Sequence, residues 1–280
     1  MAVRANRSNT LIGLAVIGLA FLPRIVPAAE SPRSPQQLFN GLNLAGWTTW
    51  LVDTKRQDPR RVFSVTNGAI HISGDGLGYL ATTNEFRNYK LVVDFKWGVT
   101  NTPWGDRIGN ARDSGIFLHA IGPQGNSYDG HGAFMAAIEC NLFEGATGDF
   151  LLIRGTNANG APVTPRVSFL SSSASDADGF HWFRPAGQRR ALQRWGRVNW
   201  IHKSPHWRDA FGFRGQRDVE KLPGEWNHLA ITCDGAHIRV EVNGMPVNEA
   251  FDVFPSEGKI LLQCEGSEIF FSHVELQPLR

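Results

Sequence analysis

Along most of the chain, apolar and polar residues alternate with a period of two, as they do in strands that turn one face to a core. Such runs occupy 89–97 (YKLVVDFKW), 114–121 (SGIFLHAI), 134–143 (FMAAIECNLF), 150–155 (FLLIRG), 226–235 (WNHLAITCDG), 259–266 (KILLQCEG) and 269–279 (IFFSHVELQPL). Two hairpins are marked by Asn-Gly pairs inside alternating runs, Asn67-Gly68 in VFSVTNGAIHI and Asn243-Gly244 in IRVEVNGMPV. Both central positions of a two-residue hairpin turn need positive φ, which Asn and Gly adopt at low cost. No convincing capped amphipathic helix interrupts these runs. The pattern predicts an all-β chain folded as an antiparallel sandwich or jelly roll. The rhythm breaks between Ile153 and Glu220. Residues 156–179, rich in Gly, Asn, Ser, Pro and Asp, read as a long loop. The expected organisation is therefore one domain, 36–280, carrying an insertion at 156–217.

The N-terminus stands apart. Arg4 and Arg7 precede the apolar run Leu11–Leu22, and small residues follow at 26–29. A basic head, a 12-residue apolar stretch and small residues form an export signal over 1–28, too short for a membrane span of about 20 residues. The expected location is periplasmic or extracellular, with no membrane attachment after cleavage.

Charge refines this picture. Lys plus Arg is 28 and Asp plus Glu is 26, a formal net charge of +2, which disfavours a nucleic-acid binder. The balance is composite, however. The first 28 residues carry three Arg and no acid, and 180–217 carry nine bases against the single acid Asp209. The rest of the chain is acidic, with 16 bases and 25 acids. The cationic segment also holds Trp182, Trp195, Trp200, Trp207, His181, His202 and His206. It reads as a lid packed on the sandwich, either purely structural or with His206 and Trp207 turned to a sugar. Cys140, Cys233 and Cys264 lie in apolar runs without metal-site spacing and read as small buried hydrophobes, with room for at most one disulfide.

Several segments in order resemble the 3-keto-disaccharide hydrolase domain family, once called domain of unknown function 1080. They are LFNGLNLAGW (38–47), DSGIFLHAIGP (113–123), AIECNLFEGATGDFLLI (137–153), PGEWN (223–227), VNGMPVNEA (242–250) and GKILLQCEGSEIFFSHVELQPL (258–279). The resemblance implies a concanavalin A-like β-sandwich with a carbohydrate-binding face. It also implies action on glycosides already oxidised to a ketone at sugar carbon 3, and so a functional link to a sugar 3-dehydrogenase. Segment 156–217 is the least similar part.

A ketone at carbon 3 acidifies the hydrogen on carbon 2, so a base removes it and the glycosidic oxygen leaves carbon 1; water then adds back. Such chemistry needs a base, an acid and a stabiliser of enolate charge. Strand alternation puts Asp113, Gly115, Phe117 and His119 on one face, Glu139 with Asn141 on one face, and Gln263 with Glu265 on one face. If all belong to one sheet face, His119, Glu139, Asn141, Gln263 and Glu265 converge. Glu139 is then the expected base, with His119 and Glu265 as catalytic partners and Asn141 and Gln263 as sugar ligands. A divalent metal ion held by His119, Glu139 and Glu265 would polarise the ketone. Arg112, Asp113 and Trp104 are the expected rim. Trp226 and Trp47 read as packing residues. The rival class is a non-catalytic, lectin-like glycan-binding module.

Overall fold

The computed structural model describes residues 28–193 and 196–279. All but the last residue of the expected export signal, and Trp195, lie outside the described residues. Among the described residues, no helix is long and apolar enough to cross a membrane.

Two antiparallel sheets pack face to face. The seven-stranded sheet runs from edge to edge as Arg197–Val198, Asp149–Ile153, Ala136–Phe143, Asp113–Ile121, Lys259–Glu265, Leu77–Thr82 and Trp47–Leu51. The eleven-stranded sheet runs His181–Phe183, Arg166–Ser175, Met245–Phe254, His237–Val242, Asn227–Asp234, Tyr89–Asn101, Ser267–Pro278, Ala69–Ile72 and Phe63–Thr66. Gln36–Gln37 adds to Ser267–Pro278, and Gln188–Leu192 adds to Arg166–Ser175. Both Asn-Gly hairpins form: Asn67, Gly68, Asn243 and Gly244 have φ of 51°, 75°, 51° and 80°.

The core lies between the sheets and is filled by the apolar faces that alternation marks. Ile116, Leu118, Ile138, Cys140, Leu142, Leu262 and Cys264 come from the smaller sheet. Leu91, Val93, Phe95, Leu229, Ile231, Cys233 and Val274 come from the larger one. Burying each large aliphatic or aromatic side chain contributes roughly 1.5–3 kcal/mol. The three cysteines are free and buried, as small apolar residues are. Trp47 is buried with its indole donating to the Leu38 carbonyl, whereas Trp226 lies half-buried under Lys96.

One expectation needs correction. Segment 156–179 is not a long loop, because Arg166–Ser175 forms a strand paired with Met245–Phe254. Its run of serines hides the alternation, yet Val167 and Phe169 enter the main core beside Phe183 and Trp200 from farther along the insertion. The insertion therefore extends the sandwich.

Candidate active site

The outer face of the smaller sheet, the side away from the core, has two halves. One is apolar, with Tyr79, Ala81, Phe117, Ala137, Ile153 and Leu261 packed together. The other is polar and is set by strand register. Asn141 lies opposite Gly115, Glu139 opposite Phe117, and Gln263 opposite Tyr79. Leu261 pairs with Phe117 and Leu262 with Ile116, which brings Gln263 alongside Gly115 on the same face. Glu139, Asn141, Gln263 and Glu265 thus share one patch, four of the five residues expected to converge, and Asp113, expected at the rim, joins them.

Gly115 makes their approach possible. A Cβ there would lie 2.4 Å from Glu139 Oε1 and 2.8 Å from Gln263 Oε1, so any other residue would push the two apart. The side chains bond in two groups that meet over Gly115. Asn141 Nδ2 donates to Glu139 Oε1 (2.9 Å) and lies 3.2 Å from Asp113 Oδ1. Gln263 Nε2 donates to Glu265 Oε2 at 2.6 Å. Two acceptors stay unpartnered, Asn141 Oδ1 and Gln263 Oε1. Glu139, Asn141 and Gln263 are buried (2, 3 and 1% exposed), while Asp113 and Glu265 keep a solvent edge.

Three carboxyls crowded at low solvation cannot all ionise at neutral pH. Burial first, and then the Asp113 charge, pushes Glu139 up to about 8. Burial likewise raises Asp113, but only to about 6, because Arg107 and Arg197 oppose it. Glu265 is held well above the ordinary carboxyl range by burial, then by Asp113 and Glu139. The negative charge therefore settles on Asp113, whose Oδ2 lies 4.0 Å from Arg107 Nη1. Burial and mutual repulsion therefore favour the protonated forms of Glu139 and Glu265 near neutral pH.

The structure excludes His119 from this group. Its φ is 55°, and the register slips between Leu118 and Ile121, a bulge that breaks the alternation. The ring turns into the sandwich, edge-on to Tyr89 of the opposite sheet with centroids 5.8 Å apart. Nδ1–H donates to the Pro255 carbonyl at 3.0 Å and Nε2 has no partner. Burial depresses the imidazole to about 4, so it is neutral and packed in the core. The expected metal triad of His119, Glu139 and Glu265 does not assemble. Among the described residues, no group of three or more His, Cys, Asp or Glu side chains is placed to hold a metal ion.

Of the expected rim residues, Asp113 joins the patch, whereas Arg112 and Trp104 turn their side chains elsewhere. Arg112 is buried in an ion pair with Glu144 (2.7 Å) and stacks under Phe211, so it does not reach the carboxyl patch. Trp104 lies on the loop that crosses Glu265, where Gly105 leaves 3.0 Å between its Cβ position and Glu265 Cγ. Its indole, however, donates to Asp75 beneath Arg60. Trp207 packs on Phe143 with centroids 4.8 Å apart and donates to the Glu144 carbonyl. His206 is exposed and borders a separate cavity.

Three residues escape a reading of the sequence. Arg107, within an ordinary-looking turn sequence, and Arg197, within the insertion, both place guanidinium groups over Phe143, at 5.6 and 5.5 Å. Asp149 is fully buried and accepts from Arg197 (2.9 Å), Lys203 (3.0 Å) and the Trp200 amide (2.7 Å). Arg197 sits directly across Leu151, and Leu151 across Glu139. Tertiary pairing, which no local motif records, brings these charges to the site.

Residues 34–277 match the family described as the 3-keto-alpha-glucoside-1,2-lyase-like domain. The chain belongs to this family. The membership makes this a carbohydrate-active chain, built on the antiparallel two-sheet sandwich described above. No curated protein sequence matches it. Among solved structures, it is similar to a candidate glycosyl hydrolase from Parabacteroides distasonis ATCC 8503, at 16% identity over 88% of this chain and 94% of that one, with a TM-score of 0.48. A Bacillus licheniformis β-glucanase shares 12% identity over 87% of this chain and 97% of that one, with a TM-score of 0.43. The carbohydrate-binding module CBM66 from Bacillus subtilis shares 12% identity over 82% and 94%, with a TM-score of 0.42.

Proposed function

We propose that this protein cleaves 3-keto-glycosides, including 3-keto-disaccharides, by elimination across carbons 1 and 2 followed by hydration. The observation that carries the reading is the convergence of Glu139, Gln263 and Glu265 around Gly115, with two arginines beside them, in a chain of this family. In its ionised form, whose share grows as pH rises toward about 8, Glu139 takes the hydrogen from carbon 2 as a proton. The electron pair forms the carbon 1–carbon 2 double bond as the glycosidic bond breaks. Protonated Glu265 donates to the departing oxygen. Charge growing on the carbon 3 oxygen meets Arg107 and Arg197, and the unpartnered oxygens of Asn141 and Gln263 accept from sugar hydroxyls. Water then adds hydroxyl at carbon 1 and a proton at carbon 2, giving free 3-keto-sugar. Burial raises both carboxyls, which keeps a proton on Glu265 for the leaving oxygen and makes ionised Glu139 a stronger base than an ordinary carboxylate.

The route needs no oxocarbenium ion, and so no carboxylate pair spaced for an ordinary glycosidase. A partner that oxidises carbon 3 must supply the substrate, and export would put both in the periplasm or outside the cell. The experiment is Glu139→Gln assayed with a 3-keto-disaccharide. Turnover falls about 10²–10⁴-fold, as loss of a general base does, while binding persists. Unchanged turnover would overturn the assignment. Binding without turnover in the wild-type chain would favour the lectin-like reading.

A further inference from the structure

The nine bases of segment 180–217 are not spent alike. Arg189 pairs with Asp252, Arg197 and Lys203 share Asp149, and Arg214 pairs with Asp218. Arg184 and Arg217 form no ion pair among the described residues, and both line one cavity of about 440 Å³ together with His202, Lys203, His206 and Gln216. No Asp or Glu lines it. Arg184 Nη1 donates to the Ile201 carbonyl at 2.7 Å and also faces that of Phe183, which fixes the guanidinium in the wall. His202 is braced edge-on against buried Trp200, with centroids 5.6 Å apart. Burial and then the Arg217 charge hold Arg184 below its ordinary range, and burial, Arg217 and Arg184 do the same to His202. Folding has therefore gathered cations that repel one another around a space with no anion of the protein's own.

We propose that the cavity bordered by Arg184, His202, His206 and Arg217 binds a tetrahedral oxyanion, a sulfate or phosphate group. Arginine forks and imidazole donors match such a group in geometry and charge, and the gain is largest where the cations lack carboxylate partners. Lys203, Ser204 and Pro205 also line a second cavity, whose wall includes Asp176, Asp178, Arg197 and Trp207, so the carboxylates nearest the proposed site belong to a neighbouring space. This inference rests on the cavity alone and holds whichever way the proposed reaction is decided.

The test is isothermal titration calorimetry on the whole chain at fixed ionic strength, with inorganic sulfate and inorganic phosphate as probes. The expected result is saturable binding at one site, weakened at least tenfold in Arg217→Glu and unchanged in Arg208→Glu, a base outside the cavity. Matching thermal melts confirm that the variants fold. Glucose 6-sulfate and glucose 6-phosphate locate the source. Tighter binding than the inorganic ion assigns a sugar ester, and equal binding assigns the free ion. Absence of saturable heat, full affinity in Arg217→Glu, or equal losses in both variants would overturn the proposal.

Discussion

At the scale of single residues, the site costs stability. Glu139 has its folded pKa raised to about 8, so the native state prefers it protonated. Its contribution to stability is full below the unfolded value near 4.5 and is lost as pH rises toward 8. Glu139→Gln keeps the shape and removes this loss. We therefore expect the variant to melt higher than the wild type at pH 8 and about level with it at pH 4.5, which pH-dependent calorimetry would read. A melting difference that does not change with pH would contradict the account. His119 acts on the opposite limb. Its folded pKa of about 4 lies below the unfolded value of 6.5, so the neutral ring favours the fold above 6.5 and that support is lost as pH falls toward 4. The shift corresponds to roughly 3 kcal/mol at most. Denaturant titrations at pH 6.5 and pH 4 would show His119→Phe losing less stability across that interval than the wild type.

At the scale of elements, the strands position the chemistry, and two residues test how. Gly115→Ala would place a methyl 2.4 Å from Glu139 Oε1, in the middle of a strand with carboxyl neighbours on the same face. We expect turnover to fall at least tenfold, with a stability cost of about 1–3 kcal/mol, typical of overpacking. Kinetics with 3-keto-disaccharide beside thermal melts separate the two effects. Asp149 fastens the insertion to the smaller sheet through Arg197 and Lys203. Removing one partner of a buried ion pair strands the other charge, so Asp149→Ala should cost about 3–5 kcal/mol by denaturant unfolding. Alternation and Asn-Gly turns made these strands legible, along with the shared face of Glu139, Asn141, Gln263 and Glu265. They failed at His119, because a bulge reverses the facing of every residue after it and leaves no mark in composition. They failed also at Arg166–Ser175, whose serines mimic a loop, and whose pairing with Met245–Phe254 is fixed by contacts far away in sequence.

At the scale of the whole molecule, the near-zero net charge conceals a cationic insertion laid against an acidic sandwich. The sequence resemblance anticipated the family and the fold, but charge runs alone cannot say which bases are consumed internally. Arg197 is drawn to Asp149 and to the carboxyl patch, whereas Arg184 and Arg217 are left facing a cavity. The fate of the carbon 2 hydrogen separates elimination from direct hydrolysis. The measurement is proton NMR of the 3-keto-sugar released from a 3-keto-disaccharide by the wild-type chain in D₂O, with the unoxidised parent disaccharide alongside. Elimination followed by hydration predicts deuterium at carbon 2 of the released sugar, a transient 2-hydroxyglycal, and no cleavage of the parent. Release of a sugar that keeps its carbon 2 hydrogen, or equal cleavage of the parent, would contradict it.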